Sequence, residues 1–313
     1  MKIGILTFHT ALNYGALMQT YASVRFLHSM GHDVYVLDYQ NAAIKKAYSL
    51  FRWDKVRWET EGFKYLLKFL PTVVSRLRRR RAFKRFIKKY IPVIPFSKAS
   101  EMDVVFVGSD QVWNKTITGG TDPVYFGDTI ANVKKLAWAV SSGKSSLSSK
   151  DIAHIKSRYD AISVREKTLA AIIDGSSLLP DPVLLLSASE WKQLSTPCKD
   201  KYLLAYPMMH QEEVMEKAER IAAELHLEVK VISPRIKLGS GWIQDASPEQ
   251  FISLFSNASY IVTSSYHGAV FSLLFNIPHT FIYHDDPRYD TLLETDIPAA
   301  KSAADSFVKE ALQ

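Results

Sequence analysis

The sequence predicts an α/β protein made of two doubly wound, Rossmann-like halves. Three observations predict it. Apolar runs with strand character alternate with helix-period segments, the alternation recurs in both halves, and polar loops follow many of the strands. The 313 residues are 47% hydrophobic and 23% charged, an ordinary globular composition with enough chain for two domains. We place the domains at 1–160 and 161–313.

The first half opens with a βαβ unit. Residues 2–8 predict a strand, residues 16–29 a helix with one apolar face, and residues 33–39 a second strand; Gly31 stops the helix. Such an opening implies a parallel sheet with a right-handed crossover. Residues 41–100 are helical in pattern, aromatic and basic, without a clear strand, so we interpret them as a basic helical insertion.

The second half keeps the same alternation. Ser247 followed by Pro248 is typical of a helix N-cap and first helical position. Strands and helices are predicted in turn over residues 201–206, 212–225, 227–232, 247–256 and 259–262.

Polar loops follow the predicted strands in both halves. Open parallel sheets bind ligands at the carboxyl ends of their strands, so we expect these loops to line one cleft between two facing domains. That convergence favours an enzyme. The loops comprise residues 13–15, 108–111, 141–143, 165–166 and 264–268.

Residues 260–278 are the most informative segment. An apolar strand leads into Thr263-Ser-Ser-Tyr-His-Gly268, and a helix-period apolar run follows. This order places backbone N–H groups, hydroxyls and the His267 imidazole at one helix N-terminus, which attracts an anion. A titratable group beside an anion site indicates chemistry. The alternative is a buried histidine that only caps the helix.

Several protein classes are excluded or disfavoured. The single cysteine, Cys198, excludes an intramolecular disulfide and a cysteine-based zinc or iron–sulfur site. No glycine-rich dinucleotide fingerprint follows the first strand, and no phosphate loop is present. No apolar run reaches the about 18 residues of a membrane-spanning helix, and the N-terminal run is too short for a signal peptide. We therefore expect a cytoplasmic protein without a metal or redox cofactor.

The net charge of +7 is concentrated in residues 76–89, which hold nine basic residues and no acidic one. Phe83, Phe86 and Ile87 recur there at helical spacing. A basic amphipathic helix of this kind is a candidate surface for the anionic lipids of the inner membrane face. The alternative is a solvated helix face beside the active-site cleft. We do not predict nucleic-acid binding, because one basic helix without a recognised motif is poor evidence.

Seven short blocks follow one another along the chain: residues 4–16, 107–114, 137–143, 162–166, 181–185, 245–251 and 263–268. In this order they resemble the polysaccharide pyruvyltransferase family over nearly the whole chain. Each block is a weak signal alone, and the seven together are specific. One departure is the short stretch after Leu293, which lacks the segment that we expect to return to the first domain.

The resemblance implies a GT-B-like fold, with the active site between two Rossmann-like domains. It implies transfer of the pyruvyl group of phosphoenolpyruvate onto two hydroxyls of a sugar as a cyclic ketal, with release of phosphate. The expected acceptor is a galactose- or N-acetylmannosamine-type residue of a bacterial surface polysaccharide, on a lipid-linked precursor. Two alternatives stay open: a GT-B glycosyltransferase that uses a nucleotide sugar, and a non-catalytic glycan- or membrane-binding relative.

The donor would require cations and an acid. Arginine suits the carboxylate and phosphate of phosphoenolpyruvate because its planar fork donates two parallel hydrogen bonds, so Arg165 and Arg288 are the candidates. His267 is the candidate proton donor to C3 of the enol, since imidazole titrates near neutral pH and an adjacent phosphate keeps it protonated. A structural salt bridge for Arg165 and a surface position for Arg288 are the alternatives.

The remaining candidates are binding residues. We expect Ser264, Ser265 and Gly268 to contact the donor phosphate, although such residues also cap helices for structural reasons. Asp110 could take the proton of the acceptor hydroxyl. Short polar loop residues suit sugar recognition, and their alternative role is to shape local turns. The candidates on the acceptor side are Asn13, Gly15, Asp110, Gln111 and Ser142.

Overall fold

The computed structural model describes residues 1–49, 63–233, 241–283 and 286–313. Contacts divide the chain into two compact units. The first unit comprises Met1–Ala47, Ile87–Leu186 and Asp285–Gln313, and the second comprises Tyr48–Phe86 and Ser187–His284. Each unit is therefore assembled from separate stretches of the chain.

The first unit contains a parallel sheet. Its strands are β1 (Lys2–Leu6), β2 (Asp33–Asp38), β3 (Val93–Pro95), β4 (Val104–Gly108), β5 (Lys134–Val140), β6 (Ala161–Val164) and β7 (Ser177–Leu178). Among the described residues the spatial order is β3-β2-β1-β4-β5-β6-β7. The order reverses between β1 and β4, because β2 and β3 extend the sheet on one side of β1 and the later strands extend it on the other.

The second unit contains a smaller parallel sheet. Its strands are β8 (Tyr202–Tyr206), β9 (Glu228–Ile232), β10 (Trp242–Ile243), β11 (Tyr260–Thr263) and β12 (His279–Phe281). Their order in the described residues is β10-β9-β8-β11-β12, so this sheet reverses between β8 and β11.

Helices alternate with these strands. In chain order they are α1 (Tyr14–Ser29), α2 (Ala42–Ala47), α3 (Phe63–Tyr90), α4 (Lys115–Thr118), α5 (Ser149–Arg158), α6 (Lys167–Ile172), α7 (Ala188–Lys192), α8 (Gln211–Leu225), α9 (Pro248–Ser256), α10 (Tyr266–Leu274), α11 (Pro287–Leu293) and α12 (Ile297–Leu312). The predicted cap at Ser247 is confirmed, since its hydroxyl accepts a hydrogen bond from the backbone N–H of Gln250 at 3.1 Å.

Each sheet buries its own apolar core. In the first unit Trp138 of β5 is fully buried and packs against Phe26, Phe106 and Phe307, with ring centroids 5.7–6.2 Å apart. In the second unit Leu203, Val214, Val231 and Val262 belong to one buried cluster that joins β8, β9 and β11 to α8. Both cores thus combine side chains of the strands with side chains of the helices packed on them.

The first domain extends further than the predicted boundary at residue 160. Strand β6 pairs in parallel with β5, with Leu136 opposite Ala161, and β7 continues the same sheet. The first unit therefore runs to Leu186 in this part of the chain. Alternation of strands and helices predicts the elements, but it does not say which sheet a short strand joins.

The predicted insertion at 41–100 also needs a correction. Residues 63–90 form the long helix α3, but residues 93–95 form β3, which pairs in parallel with β2. This segment was predicted to lack strands, because three residues are too few to show alternation. Residues 50–62 of the insertion lie outside the described residues.

The C-terminal stretch returns to the first unit, contrary to the expectation that no such segment exists. Residues 285–313 belong to the first unit, and Phe307 of α12 packs on Trp138 with ring centroids 6.2 Å apart. Only Ala304, Phe307 and Val308 of α12 are buried, and so short an apolar face does not reveal from the sequence where the helix packs.

Phe307 should be a structural anchor of the first unit. We expect Phe307→Ala to lower the free energy of unfolding by about 3–5 kcal/mol, because it removes a large buried side chain and leaves a cavity against Trp138. Urea unfolding would measure the loss. Ser306→Ala, at the exposed neighbouring position, is the control and should stay within about 0.5 kcal/mol of wild type. Equal stabilities for the two variants would contradict the docking of α12.

Candidate functional site

The loop after β11 lies at the reversal of strand order in the second unit. Strands β8 and β11 are neighbours, and the hydroxyl of Ser264 joins the loops that follow them. It accepts a hydrogen bond from the backbone N–H of Met209 at 2.9 Å and donates one to the carbonyl of the same residue. Ligands of open α/β sheets bind at such a reversal, so this edge is the natural site in the second unit.

The turn between β11 and α10 is shaped by two further predicted residues. Ser265 caps α10 by accepting a hydrogen bond from the backbone N–H of Gly268 at 3.4 Å. A Cβ atom on Gly268 would lie 2.4 Å from the hydroxyl oxygen of Thr263, so only glycine fits there. Both residues therefore build the turn, and their contact with a donor stays a prediction.

His267 is the second residue of α10 and is half-buried. Its ring lies edge-on to that of Tyr266, with ring centroids 5.3 Å apart. The first-turn N–H groups and the helix dipole favour an anion at this end of the helix. The arrangement can therefore hold an anionic group beside an imidazole.

The reversal in the first unit carries the predicted sugar-binding residues. Asn13 caps α1 by accepting from the backbone N–H of Ala16 at 3.3 Å, and Gly15 is buried in the first turn. Gln19 ties the loops after β1 and β4 together: its amide donates to the Thr7 hydroxyl at 2.8 Å and accepts from the backbone N–H of Ser109 at 3.2 Å. This edge is thus held in one shape by hydrogen bonds.

Asp110 and Gln111 also shape the loop after β4. The Asp110 carboxylate accepts a hydrogen bond from the backbone N–H of Gln111 at 2.8 Å. The Gln111 side-chain oxygen accepts from the Asn114 amide at 2.7 Å. These contacts are those of a structural loop, and contact with a sugar stays a prediction.

Arg165 is buried, and its guanidinium forms an ion pair with Asp181. Its Nη2 atom lies 3.9 Å from the Oδ1 atom of Asp110. The side chain is only 1% exposed, so it fixes the ends of β4 and β6 relative to the segment at residue 181. The predicted contact of Arg165 with a donor is not visible in this arrangement and stays a prediction.

Arg288 lies in the first unit, not in the second domain where it was predicted. Its Nε and Nη2 atoms donate to the two oxygens of Asp286 at 3.0 and 2.6 Å. Burial alone would raise the pKa of Asp286, but the hydrogen bonds and charge of Arg288 lower it below the ordinary value. The Arg288 side chain is 16% exposed and the Arg165 side chain 1%, so Arg288 is the more accessible of the two.

Glu166 is a buried residue of the site whose importance the sequence reasoning missed. It is 1% exposed, and one carboxyl oxygen accepts hydrogen bonds from the Ser141 hydroxyl and, at 3.3 Å, from the backbone N–H of Gly143. Burial raises its pKa above 4.5, although Arg165, Ser141, Arg288 and Gly143 oppose the shift. The available signal was a carboxyl residue two positions after β6, in the loop of residues 165–166 that was expected to line the cleft.

The predicted residues thus fall into two groups. Asn13, Gly15, Asp110, Gln111, Ser142, Arg165 and Arg288 lie in the first unit, whereas Ser264, Ser265, His267 and Gly268 lie in the second. Arg165 and Arg288 both oppose the rise that burial causes in the pKa of Glu166. The pocket that His267 is expected to share with the two arginines stays a prediction.

Two parallel sheets with alternating helices, each carrying polar loops at its strand-order reversal, define a two-domain Rossmann-like α/β protein. A family model described as polysaccharide pyruvyl transferase matches residues 13–286. The chain belongs to this family, which confirms the resemblance seen in the sequence.

One solved structure supports the fold. The putative UDP-N-acetylglucosamine 2-epimerase of Listeria monocytogenes is similar with a TM-score of 0.50 and 9% sequence identity, over 99% of this chain and 89% of that chain. The UDP-GlcNAc 2-epimerase of Methanocaldococcus jannaschii has a TM-score of 0.48 and 11% identity, over 97% and 92% of the two chains. The predicted GT-B-like fold of two Rossmann-like domains is confirmed. No curated protein matches the chain in sequence.

Glu166 should leave a signature in the pH dependence of stability. Its folded-state pKa is raised, so its ionised form destabilises the fold, and the cost appears as the pH rises from 4.5 through the raised value. We expect wild type to lose stability relative to Glu166→Gln over that window, measured by urea unfolding from about pH 4.5 to 8.

The matched control is Glu216→Gln, an exposed position on α8. Its stability should follow that of wild type at each pH. A constant difference between wild type and Glu166→Gln across the window would show that the Glu166 carboxyl titrates no differently in the folded and unfolded chains.

Proposed function

We propose that this pyruvyl transferase moves the pyruvyl group of phosphoenolpyruvate onto two hydroxyls of a sugar as a cyclic ketal. The observation that carries the proposal is the place of His267, in the first turn of α10 where the strand order of the second unit reverses. An enol phosphate requires a group that attracts its negative charge and a group that donates a proton. The N-terminus of α10 can supply the first and the imidazole the second.

The chemistry balances without a cofactor. His267 delivers a proton to C3 of phosphoenolpyruvate. This proton converts the CH2 group at C3 into a methyl group and makes C2 electrophilic. One sugar oxygen adds to C2, and a second displaces phosphate. Of the two hydroxyl protons, one restores the imidazole, and the other is taken up by Asp110 and then leaves with phosphate.

Arg288 is the guanidinium that we assign to the donor, because it is more exposed than Arg165. To bind the carboxylate or phosphate of phosphoenolpyruvate it would exchange its bidentate contact with Asp286 for one with the donor. Arg165 then acts from its buried ion pair through its charge. Asp110 and the neighbouring loops of the first unit would receive the sugar, with Asp110 as base for the acceptor hydroxyl.

The reaction and the role of His267 can be tested together. Incubation with phosphoenolpyruvate and lipid-linked oligosaccharides carrying galactose or N-acetylmannosamine should release phosphate and add the mass of pyruvate less one water. We expect His267→Ala to lower turnover by about 10²–10⁴-fold, the usual contribution of a general acid.

The control is His28→Ala, an exposed histidine of α1, which should retain full turnover. Thermal unfolding of both variants separates lost chemistry from lost folding. Unchanged turnover in His267→Ala would remove it from the mechanism. Stabilisation by UDP- or GDP-sugars, with indifference to phosphoenolpyruvate, would favour the glycosyltransferase alternative instead.

The acceptor that we propose is a lipid-linked precursor of a bacterial capsule or exopolysaccharide, met at the inner face of the plasma membrane. Support comes from α3, whose apolar residues Ala82, Phe83 and Phe86 are buried. Its basic stripe, defined as Arg80, Arg81, Lys84, Arg85 and Lys88, is exposed and makes no ion pair with the described residues. No helix in the described part of the chain is long and apolar enough to span a bilayer.

Vesicle flotation tests the basic stripe. The protein should float with vesicles containing phosphatidylserine at low salt and not with phosphatidylcholine alone. Each basic side chain near an anionic surface contributes about 1 kcal/mol to binding. The triple variant Arg81→Glu, Lys84→Glu, Lys88→Glu should therefore bind the anionic vesicles about a hundredfold or more weakly.

The same reversal at Lys150, Lys192 and Lys301, which are exposed elsewhere, is the matched control and should have a smaller effect. Equal partition into neutral and anionic vesicles would reject the membrane surface. This result would leave the transfer reaction itself untouched.

A further inference from the structure

Arg79 places a positive charge on the buried face of α3. Its side chain is 8% exposed, and it lies at helical spacing from Ala82, Phe83 and Phe86, which are buried as well. The buried face of a helix is normally apolar, so an arginine there is an exception to the pattern. Arginine keeps its charge when it is buried, and removal of that charge from water is costly unless opposite charge or hydrogen bonds compensate.

The residues that the structure describes do not supply this compensation. The Nε atom of Arg79 is buried and has no hydrogen-bond partner among them, and none of their carboxylates forms an ion pair with the guanidinium. The acidic residue beside this part of α3, Asp245, pairs instead with the neighbouring Arg78, whose Nη1 atom lies 3.6 Å from its Oδ2 atom. A guanidinium that is buried and unpaired in this way indicates an anionic ligand.

This part of α3 lies at the carboxyl edge of the second sheet. The Ser75 hydroxyl donates to the side-chain oxygen of Gln244 at 3.1 Å, and Gln244 directly follows β10, which pairs in parallel with β9. Ser75 and Arg79 are four residues apart, so they lie on the same face of the helix. All three residues belong to the second unit. Arg79 is therefore close to the edge at which open α/β sheets bind their ligands.

The surroundings of Arg79 favour an anion with more than one negative charge. Residues 78–81 are four consecutive arginines, and Asp245 is the carboxylate that pairs within this run. Because the Gln244 oxygen accepts from Ser75, the amide nitrogen of Gln244 keeps its two N–H groups, and they bind no other group within the described part of the chain. A guanidinium fork, neutral donors and surplus positive charge together suit the oxygens of a phosphate or diphosphate group.

We propose that Arg79 is the centre of a phosphate-binding site at the carboxyl edge of the second sheet. Its guanidinium binds the phosphoryl oxygens, and the amide of Gln244 donates to the same group. The site itself follows from the buried charge, whereas the source of the phosphoryl group rests on the proposed function. That function offers two sources: the donor phosphoenolpyruvate, and a diphosphate that joins the acceptor sugar to its lipid.

Calorimetric titration of the full chain with pyrophosphate tests the site without turnover. At about 0.15 M salt, where binding to exposed cations is screened, we expect Arg79→Met to bind pyrophosphate about 10–100-fold more weakly than wild type, the loss expected for one charge-assisted hydrogen bond. Arg220→Met, at an exposed arginine of α8 in the same unit, is the matched control and should bind like wild type. Equal affinities of wild type and Arg79→Met, or no binding by wild type, would overturn the proposal.

Urea unfolding gives a second readout, which separates a ligand-binding arginine from a structural one. Methionine has a similar shape and no charge, so Arg79→Met should raise the urea midpoint in a phosphate-free buffer, because it removes an unpaired buried charge. Pyrophosphate should raise the midpoint of wild type and leave that of the variant unchanged. A lower midpoint for Arg79→Met in the phosphate-free buffer would show that the guanidinium holds the fold together, and this would contradict the proposal.

Competition against bound pyrophosphate identifies the source of the phosphoryl group. Displacement by phosphoenolpyruvate would assign the site to the donor, whereas displacement by geranyl diphosphate, a short soluble lipid diphosphate, would assign it to the acceptor. Displacement by neither compound would reject both sources. Absence of pyruvyl transfer would count against the proposed function and would leave these binding results unchanged.

Discussion

Parallel pairing is the constraint on which the rest of the structure depends. In the described residues of both sheets the strands pair in parallel, so their carboxyl ends gather at one edge in each unit. Each sheet also reverses its strand order once, between β1 and β4 and between β8 and β11. Loops diverge at a reversal and leave space for a ligand. The imidazole of His267 and the capped start of α1 occupy these two places for that reason.

Buried charge is the second organising feature. Glu166 and Asp181 are almost fully buried beside Arg165. Asp286 accepts hydrogen bonds from Arg288 with both of its carboxylate oxygens. Removal of charges from water is costly, so such a group persists only where hydrogen bonds and opposite charges compensate. Burial raises the pKa of Glu166, because the desolvation of its carboxylate outweighs the opposing contacts with Arg165, Ser141, Arg288 and Gly143. The Glu166 carboxyl of this cluster thus holds the loop at residues 141–143, and its own protonation changes with pH.

Local patterns predicted much of the fold and part of the site. The βαβ opening, the Ser247 cap and the turn before α10 were readable because periodicity and capping residues act over a few neighbouring positions. The domain boundary could not be predicted in this way, because β6 joins the first sheet by pairing with β5, and local sequence does not show which strand will be its partner. The position of Arg288 in the first unit was missed for a similar reason. The chain returns from the second unit to the first, and no local sequence pattern indicates that return. Glu166 has a raised pKa only because distant segments surround it.

The segmented construction of the first unit has a consequence for biosynthesis. Its sheet begins with β1, but its core also includes Phe307 near the end of the chain. The ribosome synthesises Phe307 long after β1, so the core around Trp138 is complete only once α12 has been made. Neither unit can be excised as one continuous fragment, and a nonsense codon late in the gene would damage the part of the protein that is made first.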